Sequence, residues 1–181
     1  MAAWQSLFDL AQLQSGERVL IHGVAGNVGS LAAQLAKEKG AYVYGTDISE
    51  KAKFIQDLGI DRFINTQEER FEDIVEDVDI VLDYVGGDFL ERSYTVLKAG
   101  GRYVTSLLME TPQEEAQRRG IRSLGLGSQP RADLLAEVAE RIDAGKLKVF
   151  VNRTFPLDEV EAAMEYRLKT TEPGKVVLTI S

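Results

Sequence analysis

The sequence contains no cysteine, a single histidine (His22), a single tryptophan (Trp4) and only four prolines in 181 residues. Without cysteine there is neither a disulfide framework nor a thiolate metal site. With one histidine, a zinc site would have to be built almost wholly of carboxylates, a donor set that zinc disfavours, so no metal is expected. No apolar run approaches the roughly 18 residues of a membrane-spanning helix. The opening Met-Ala-Ala-Trp also lacks the basic and apolar regions of a signal peptide, so a cytoplasmic chain with no membrane partner is expected. Positive charge is outnumbered as well: 21 Lys and Arg against 29 Asp and Glu give a formal net charge of −8, which argues against a surface that tracks nucleic-acid phosphates. The one basic cluster, Arg118, Arg119 and Arg122, reads as a solvated helix end rather than a nucleic-acid contact. What remains is an ordinary globular composition, 44% hydrophobic and 28% charged, in a chain long enough to bury roughly 70% of its unfolded surface around one core.

Apolar runs rich in β-branched residues are centred near Leu20, Val43, Phe63, Val81, Val104 and Leu124. Segments such as Arg18-Val-Leu-Ile-His22 and Asp79-Ile-Val-Leu-Asp83 are too short for helices and apolar at consecutive positions, as parallel strands covered on both faces are. Between them the period becomes helical. Val28, Leu31, Ala32, Leu35 and Ala36 share a face and Gly40 stops the helix. Phe54, Ile55 and Leu58 follow a Ser49 cap, Leu90, Tyr94 and Leu97 precede an Ala99-Gly-Gly101 turn, and Leu134, Leu135, Val138 and Ile142 precede Gly145. Helices alternating with buried strands predict an α/β fold, an open doubly wound parallel sheet of about six strands. The ends break the rhythm. Trp4, Leu7, Phe8 and Ala11 predict an amphipathic lead-in helix. After the sheet come a short apolar run at Val149 to Val151, a helix carrying Val160, Met164 and Leu168, and a last strand from Lys175 to Ile180. The whole of residues 1–181 reads as one domain with a C-terminal helix-strand extension.

The most informative stretch runs from Val19 to Ala32, where Gly23, Gly26 and Gly29 follow a buried strand directly and open an amphipathic helix. That context, rather than the glycine spacing alone, fits a dinucleotide-binding turn. Gly23 permits the reversal out of the strand, Gly26 lets a pyrophosphate approach the backbone, and Gly29 lets the helix press close. Free N–H groups and the positive helix end attract the anion even on an acidic chain. The second strand ends in Asp47, 18 residues beyond Gly29, near the ~20 expected of a carboxylate that binds the adenosine ribose. Such a carboxylate favours NAD(H), while Lys51, one helical turn on, leaves NADP(H) open. Asp47 as a cap of the helix near Ser49 is the other reading. His22 reads as a strand-end residue. Tyr94 and Lys98 match a Tyr-x-x-x-Lys pair by accident, because Tyr94 fits the buried stripe of its helix. Asp83, Asp88 and Glu91 read as strand-end and surface carboxylates.

The segments Trp4-Gln-Ser-Leu-Phe8, Val19-Leu-Ile-His-Gly-Val-Ala-Gly-Asn-Val-Gly29, Leu58-Gly-Ile-Asp61, Val81-Leu-Asp-Tyr-Val-Gly-Gly87, Leu97-Lys-Ala-Gly-Gly-Arg102 and Gly174-Lys-Val-Val-Leu178 together resemble the cofactor half of medium-chain dehydrogenase/reductases, and within them the quinone oxidoreductase-like, zinc-free branch. The resemblance covers essentially the whole chain. It implies that Gly23, Gly26, Asn27, Val28 and Gly29 carry pyrophosphate, that Asp47 and Lys51 lie by the adenosine ribose, and that Thr66 lies near the adenine. It also implies that Val85, Gly86, Thr105, Ser106 and Leu107 line the nicotinamide. Asn27 and Ala99 depart from a frequent glycine and a usual proline of the family. Relatives place a GroES-like substrate domain before the lead-in helix, so the resemblance implies a cofactor domain without its substrate domain. They also commonly dimerise through the edge strand of this domain, for which residues 121–128 are the candidate.

The expected function is an NAD(P)H-binding domain of an oxidoreductase acting on a quinone, enone or carbonyl compound, inactive alone because no second wall shields the nicotinamide from water. A non-catalytic dinucleotide sensor is the alternative from another class. A methyltransferase, which also carries a glycine-rich turn and an acid on its first two strands, is the third.

Overall fold

The computed structural model describes residues 1–107 and 113–180. Six strands, β1 (Arg18–His22), β2 (Tyr42–Asp47), β3 (Arg62–Asn65), β4 (Val78–Asp83), β5 (Leu97–Thr105) and β6 (Arg122–Gly125), form one parallel sheet in the order β3-β2-β1-β4-β5-β6. Each expected strand centre falls inside its strand. The helices are α1 (Ala2–Trp4), α2 (Gly29–Glu38), α3 (Ala52–Asp57), α4 (Phe89–Val96), α5 (Gln113–Arg118) and α6 (Ala132–Asp143).

Consecutive strand residues point to opposite faces, and both faces here are covered. Val19, Ile21, Val43, Leu82 and Val104 join Leu7, Ala32, Ala36 and Leu147 on one side. Leu20, Tyr44, Ile64, Val81 and Tyr103 meet Phe71, Leu90 and Tyr94 on the other. This two-sided burial is why the strands read as unbroken apolar runs. The chain winds outward from β1 to β3, then returns so that β4 pairs with the free side of β1. The crossovers therefore diverge between β1 and β4, and a crevice opens at the carboxyl ends of those strands.

Several local expectations are corrected. The lead-in is not one amphipathic α-helix: after α1 the chain widens into a π-helix over Gln5–Leu10, with Ala11 N–H donating to the Ser6 carbonyl. The wider turn sinks Leu7 and Ala11 completely. Leu97 is not on a helix, and Ala99–Gly101 is not a free turn. β5 starts at Leu97, which pairs with Val78, and an irregularity restores the register at Ile80 and Arg102. Burial of Leu97 against the Tyr94 side of the sheet explains the early start. Ser49 is no cap, because its hydroxyl donates to Gln67 Oε1 at 2.7 Å and a 3-10 turn leads into α3. On α6, Leu134 is buried but Leu135 and Ile142 are exposed.

The expected edge run of 121–128 is likewise shorter, with a ladder ending at Gly125. Leu126 N–H still donates to the Thr105 carbonyl. Ser128 and the Gln129 amide are instead held by Gln5 Oε1 at 2.9 and 3.2 Å, while Gln5 Nε2 donates to the Gln129 carbonyl at 3.1 Å.

The extension forms a separate two-stranded parallel sheet, β7 (Val151–Pro156) and β8 (Lys175–Thr179), crossed by α7 (Val160–Lys169). The apolar stripe of α7 is largely uncovered: Met164 is 63% and Leu168 85% exposed. No helix among the described residues is long and apolar enough to cross a membrane.

Candidate functional site

The turn between β1 and α2 is built by its glycines and pinned by β2. Gly23 has φ +73° and donates, as does the next amide, to the Thr46 carbonyl, at 3.0 and 3.1 Å. A side chain at Gly26 would come within 3.1 Å of the Gly23 carbonyl oxygen. At Gly29 a Cβ would stand 2.2 Å from that same oxygen and 2.9 Å from Val24 Cα, so the start of α2 rests directly on the turn backbone. α2 begins after Val28 with no side-chain cap. The N–H groups of Asn27, Val28 and Gly29 find no acceptor among the described residues. Unpartnered amides at an uncapped helix start form an anion cradle. A cradle of this kind fits a pyrophosphate, and the glycines let α2 start directly against the turn backbone where a Cβ would collide with it.

Asp47 closes one side. Its Oδ2 accepts the Ala25 N–H at 3.0 Å, tying the turn to the end of β2, and its Oδ1 accepts the Ile48 N–H at 3.0 Å and the Lys51 ammonium at 2.8 Å. Thr66 reaches the same point: its N–H donates to the Asp47 carbonyl at 3.0 Å and its hydroxyl at 3.3 Å. Asp47, Lys51 and Thr66, spread over 20 positions of sequence, thus form one patch beside the turn. Asp47 is neither a helix cap nor a free carboxylate, because three donors already engage it.

The other side is made by the ends of β4 and β5. Val85 is 49% exposed and its Cγ2 lies 3.0 Å from where a Gly23 side chain would be. Gly86 follows at φ +77°. Thr105 is buried, and its hydroxyl accepts the Leu107 N–H at 3.1 Å, folding Ser106 and Leu107 over the strand end. Asp83, read from sequence only as a strand-end carboxylate, anchors this wall: its Oδ1 accepts the N–H groups of Val85 and Gly86, at 2.8 and 2.9 Å.

Beneath the turn, His22 is wholly buried against the stacked rings of Phe71 and Phe89, at 4.7 and 4.8 Å. Its Nε2 meets Ser93 Oγ at 3.0 Å, and Ser93 donates to the Phe89 carbonyl. The hydrogen-bond pattern therefore assigns the proton to Nε2, leaving Nδ1 to accept from Thr46 Oγ1 at 2.9 Å. Burial pushes the imidazole down to about 4, against the opposing pull of Asp83. Arg92 lies over Phe71 and Phe89 and seals the pocket; its hydrogen bonds hold Glu72 down to about 2. His22 is a neutral core residue with no access to a reacting atom. Tyr94 donates to Ser123 Oγ at 2.8 Å while Lys98 pairs with Asp79, so the Tyr-x-x-x-Lys spacing brings no pair together.

The fold and the cradle define a class: a doubly wound nucleotide-binding domain with its site at the sheet's switch point. Comparison with known proteins places it more closely. A family described as zinc-binding dehydrogenase matches residues 58–178, and the chain belongs to that family, as a cofactor-binding domain of the medium-chain dehydrogenase/reductases. It is similar to a quinone oxidoreductase from Coxiella burnetii, with 34% identity and a TM-score of 0.91, over 99% of this chain and 57% of that one. It is also similar to the CurK enoyl reductase, with 31% identity and a TM-score of 0.86, over 99% and 59%. Among curated proteins it is 31% identical over 193 residues to the spectinabilin polyketide synthase system protein NorB of Streptomyces orinoci, spanning 99% of this chain and 9% of that protein. The chain thus spans well under two thirds of the relatives it matches. Among the described residues no cluster of three or more His, Cys, Asp or Glu side chains converges as metal ligands.

Proposed function

We propose that the chain is the NAD(P)H-binding domain of an oxidoreductase that reduces a quinone, enone or carbonyl compound, and that it turns over little without a substrate domain. The bound nucleotide supplies the hydride. The chain's own residues hold and orient it: the Asn27, Val28 and Gly29 amides take the pyrophosphate, Asp47, Lys51 and Thr66 take the adenosine end, and Val85, Gly86 and Thr105 to Leu107 take the nicotinamide end. The observation that carries this reading is the uncapped start of α2 resting on the Gly23–Gly29 turn, with a polar patch on one flank and an apolar wall on the other.

For the nucleotide we favour NAD(H). Asp47 Oδ2 has taken one donor, which leaves it an acceptor position for a ribose hydroxyl, and its charge opposes a 2′-phosphate that Lys51 alone would attract. Calorimetry with NADH and NADPH tests this on the parent chain and on Asp47→Asn, which keeps an acceptor for the Ala25 amide. NADH is expected to bind tighter than NADPH, with the gap narrowing in the variant. Tighter binding of NADPH to the parent chain refutes the ribose assignment.

The small β7–α7–β8 unit supports the need for a second domain. Two strands alone are marginal, and exposed Val151, Leu157, Met164 and Leu168 await cover. We assign that cover to a GroES-like substrate domain. The outer edge of β6, four residues long, is the surface through which a homodimer would form.

A further inference from the structure

Asp83 has a role beyond ending β4. Its side chain is completely buried. Besides the two amides on Oδ1, its Oδ2 accepts the Tyr103 hydroxyl at 2.6 Å, and burial, with that bond added, pushes the Tyr103 hydroxyl well above its ordinary range. Among the described residues no basic side chain forms an ion pair with it. Its neighbours in register are His22 on β1 and Thr105 on β5, so it sits under the strand ends that border the crevice. His22 supplies no charge there, being neutral. A buried carboxylate held by hydrogen bonds but without a counter-cation is poorly screened by the protein around it, and its field reaches the strand ends that border the crevice.

The nicotinamide ring is neutral when reduced. It becomes cationic when it loses a hydride, a proton with two electrons that passes to the acceptor carbon. We propose that Asp83 is a positioning residue with an electrostatic part: it fixes the Val85–Gly86 wall and favours the oxidised nucleotide over the reduced one, so that the bound cofactor gives up hydride more readily. This rests on the nucleotide reading above and adds to it a residue that sets the balance between the two cofactor states.

Asp83→Asn separates charge from shape, since the amide oxygen still accepts the Val85 and Gly86 N–H groups. The dissociation constants of NAD+ and NADH are measured by calorimetry on the 181-residue chain and on the variant. The variant is expected to weaken NAD+ more than NADH, moving their ratio by roughly tenfold, the scale of one unit-charge interaction in a protein-like dielectric. Equal weakening of both nucleotides, as a merely structural role would give, overturns the proposal. Tyr103→Phe is the second variant: it strips one donor from Oδ2 and is expected to move the ratio the other way, and an unchanged ratio there overturns the proposal too. If the parent chain binds neither nucleotide, the function reading falls with it, whereas tight binding with an unmoved ratio sinks the Asp83 role alone.

Discussion

Replacing Gly29 by alanine tests the cradle and the packing beneath it at once. The new Cβ would stand 2.2 Å from the Gly23 carbonyl oxygen, 2.9 Å from Val24 Cα and 3.0 Å from the Gly23 carbonyl carbon. All three are backbone atoms, so no side chain can swing aside, and α2 or the turn has to move by about 1 Å to restore van der Waals contact. Overpacking of this kind costs about 1–3 kcal/mol. Alanine's better helix propensity offsets at most ~1 kcal/mol of that, and less at a first helical position. A net loss of about 2 kcal/mol corresponds to a fall in Tm of roughly 4–8 °C for a domain of this size. The same movement pulls the Val28 and Gly29 amides away from the anion, and losing one charge-assisted hydrogen bond lowers nucleotide affinity by about tenfold or more. Thermal unfolding followed by circular dichroism gives the first number and calorimetry with NADH the second. Gly125→Ala is the control, because nothing lies within 4 Å of a Cβ there. It is expected to leave both quantities nearly unchanged. A Gly29→Ala chain with the parent Tm and the parent NADH affinity would refute the claim that the helix start rests on the turn.

Two further predictions concern the scaffold. His22 has a folded-state value of about 4 against an ordinary 6.5, so between these values the unfolded chain takes up the proton and the folded chain does not. Stability is therefore full above pH 6.5 and lost as pH falls toward 4, by about 3 kcal/mol from this group alone; urea unfolding of the parent chain and of His22→Gln from pH 7 to pH 4 measures it, and identical slopes in the two would contradict it. Gln5→Ala removes all three hydrogen bonds that hold Ser128 and Gln129 to the lead-in helix. Amide exchange is expected to quicken around Gln129, with a stability loss of about 1–2 kcal/mol. Unchanged protection at that amide would show that the segment is held some other way.

The cradle was legible because its signals are local. A buried strand, three glycines at fixed spacing and an amphipathic helix lie within 21 consecutive residues, and each has one geometric reason to be there. Spacing along the sequence put Asp47 at the end of β2, but its engagement by Ala25, Ile48 and Lys51 was not visible, since a count of residues says where a carboxylate falls and not what already bonds to it. The lead-in helix was misjudged for a related reason. Helical period identified the buried face of Leu7 and Ala11, yet a π turn preserves enough of that period to pass for an α-helix. Gln5 gave no signal at all: a polar residue near the start of a chain resembles any solvated side chain, and its partners are 123 and 124 positions away.

The sequence by itself determined the six-strand rhythm, the α/β class and the place of the glycine turn, because hydrophobic period and turn chemistry act between near neighbours. Only the tertiary structure decided that Asp47, Lys51 and Thr66 share one patch, that His22 is sealed under Arg92 and neutral, and that Asp83 is a buried carboxylate bonded to Val85, Gly86 and Tyr103 with no cation paired to it among the described residues. Those facts depend on which strand lies beside which. That order is set by the winding of the whole chain around β1 and β4, which no short stretch of residues encodes.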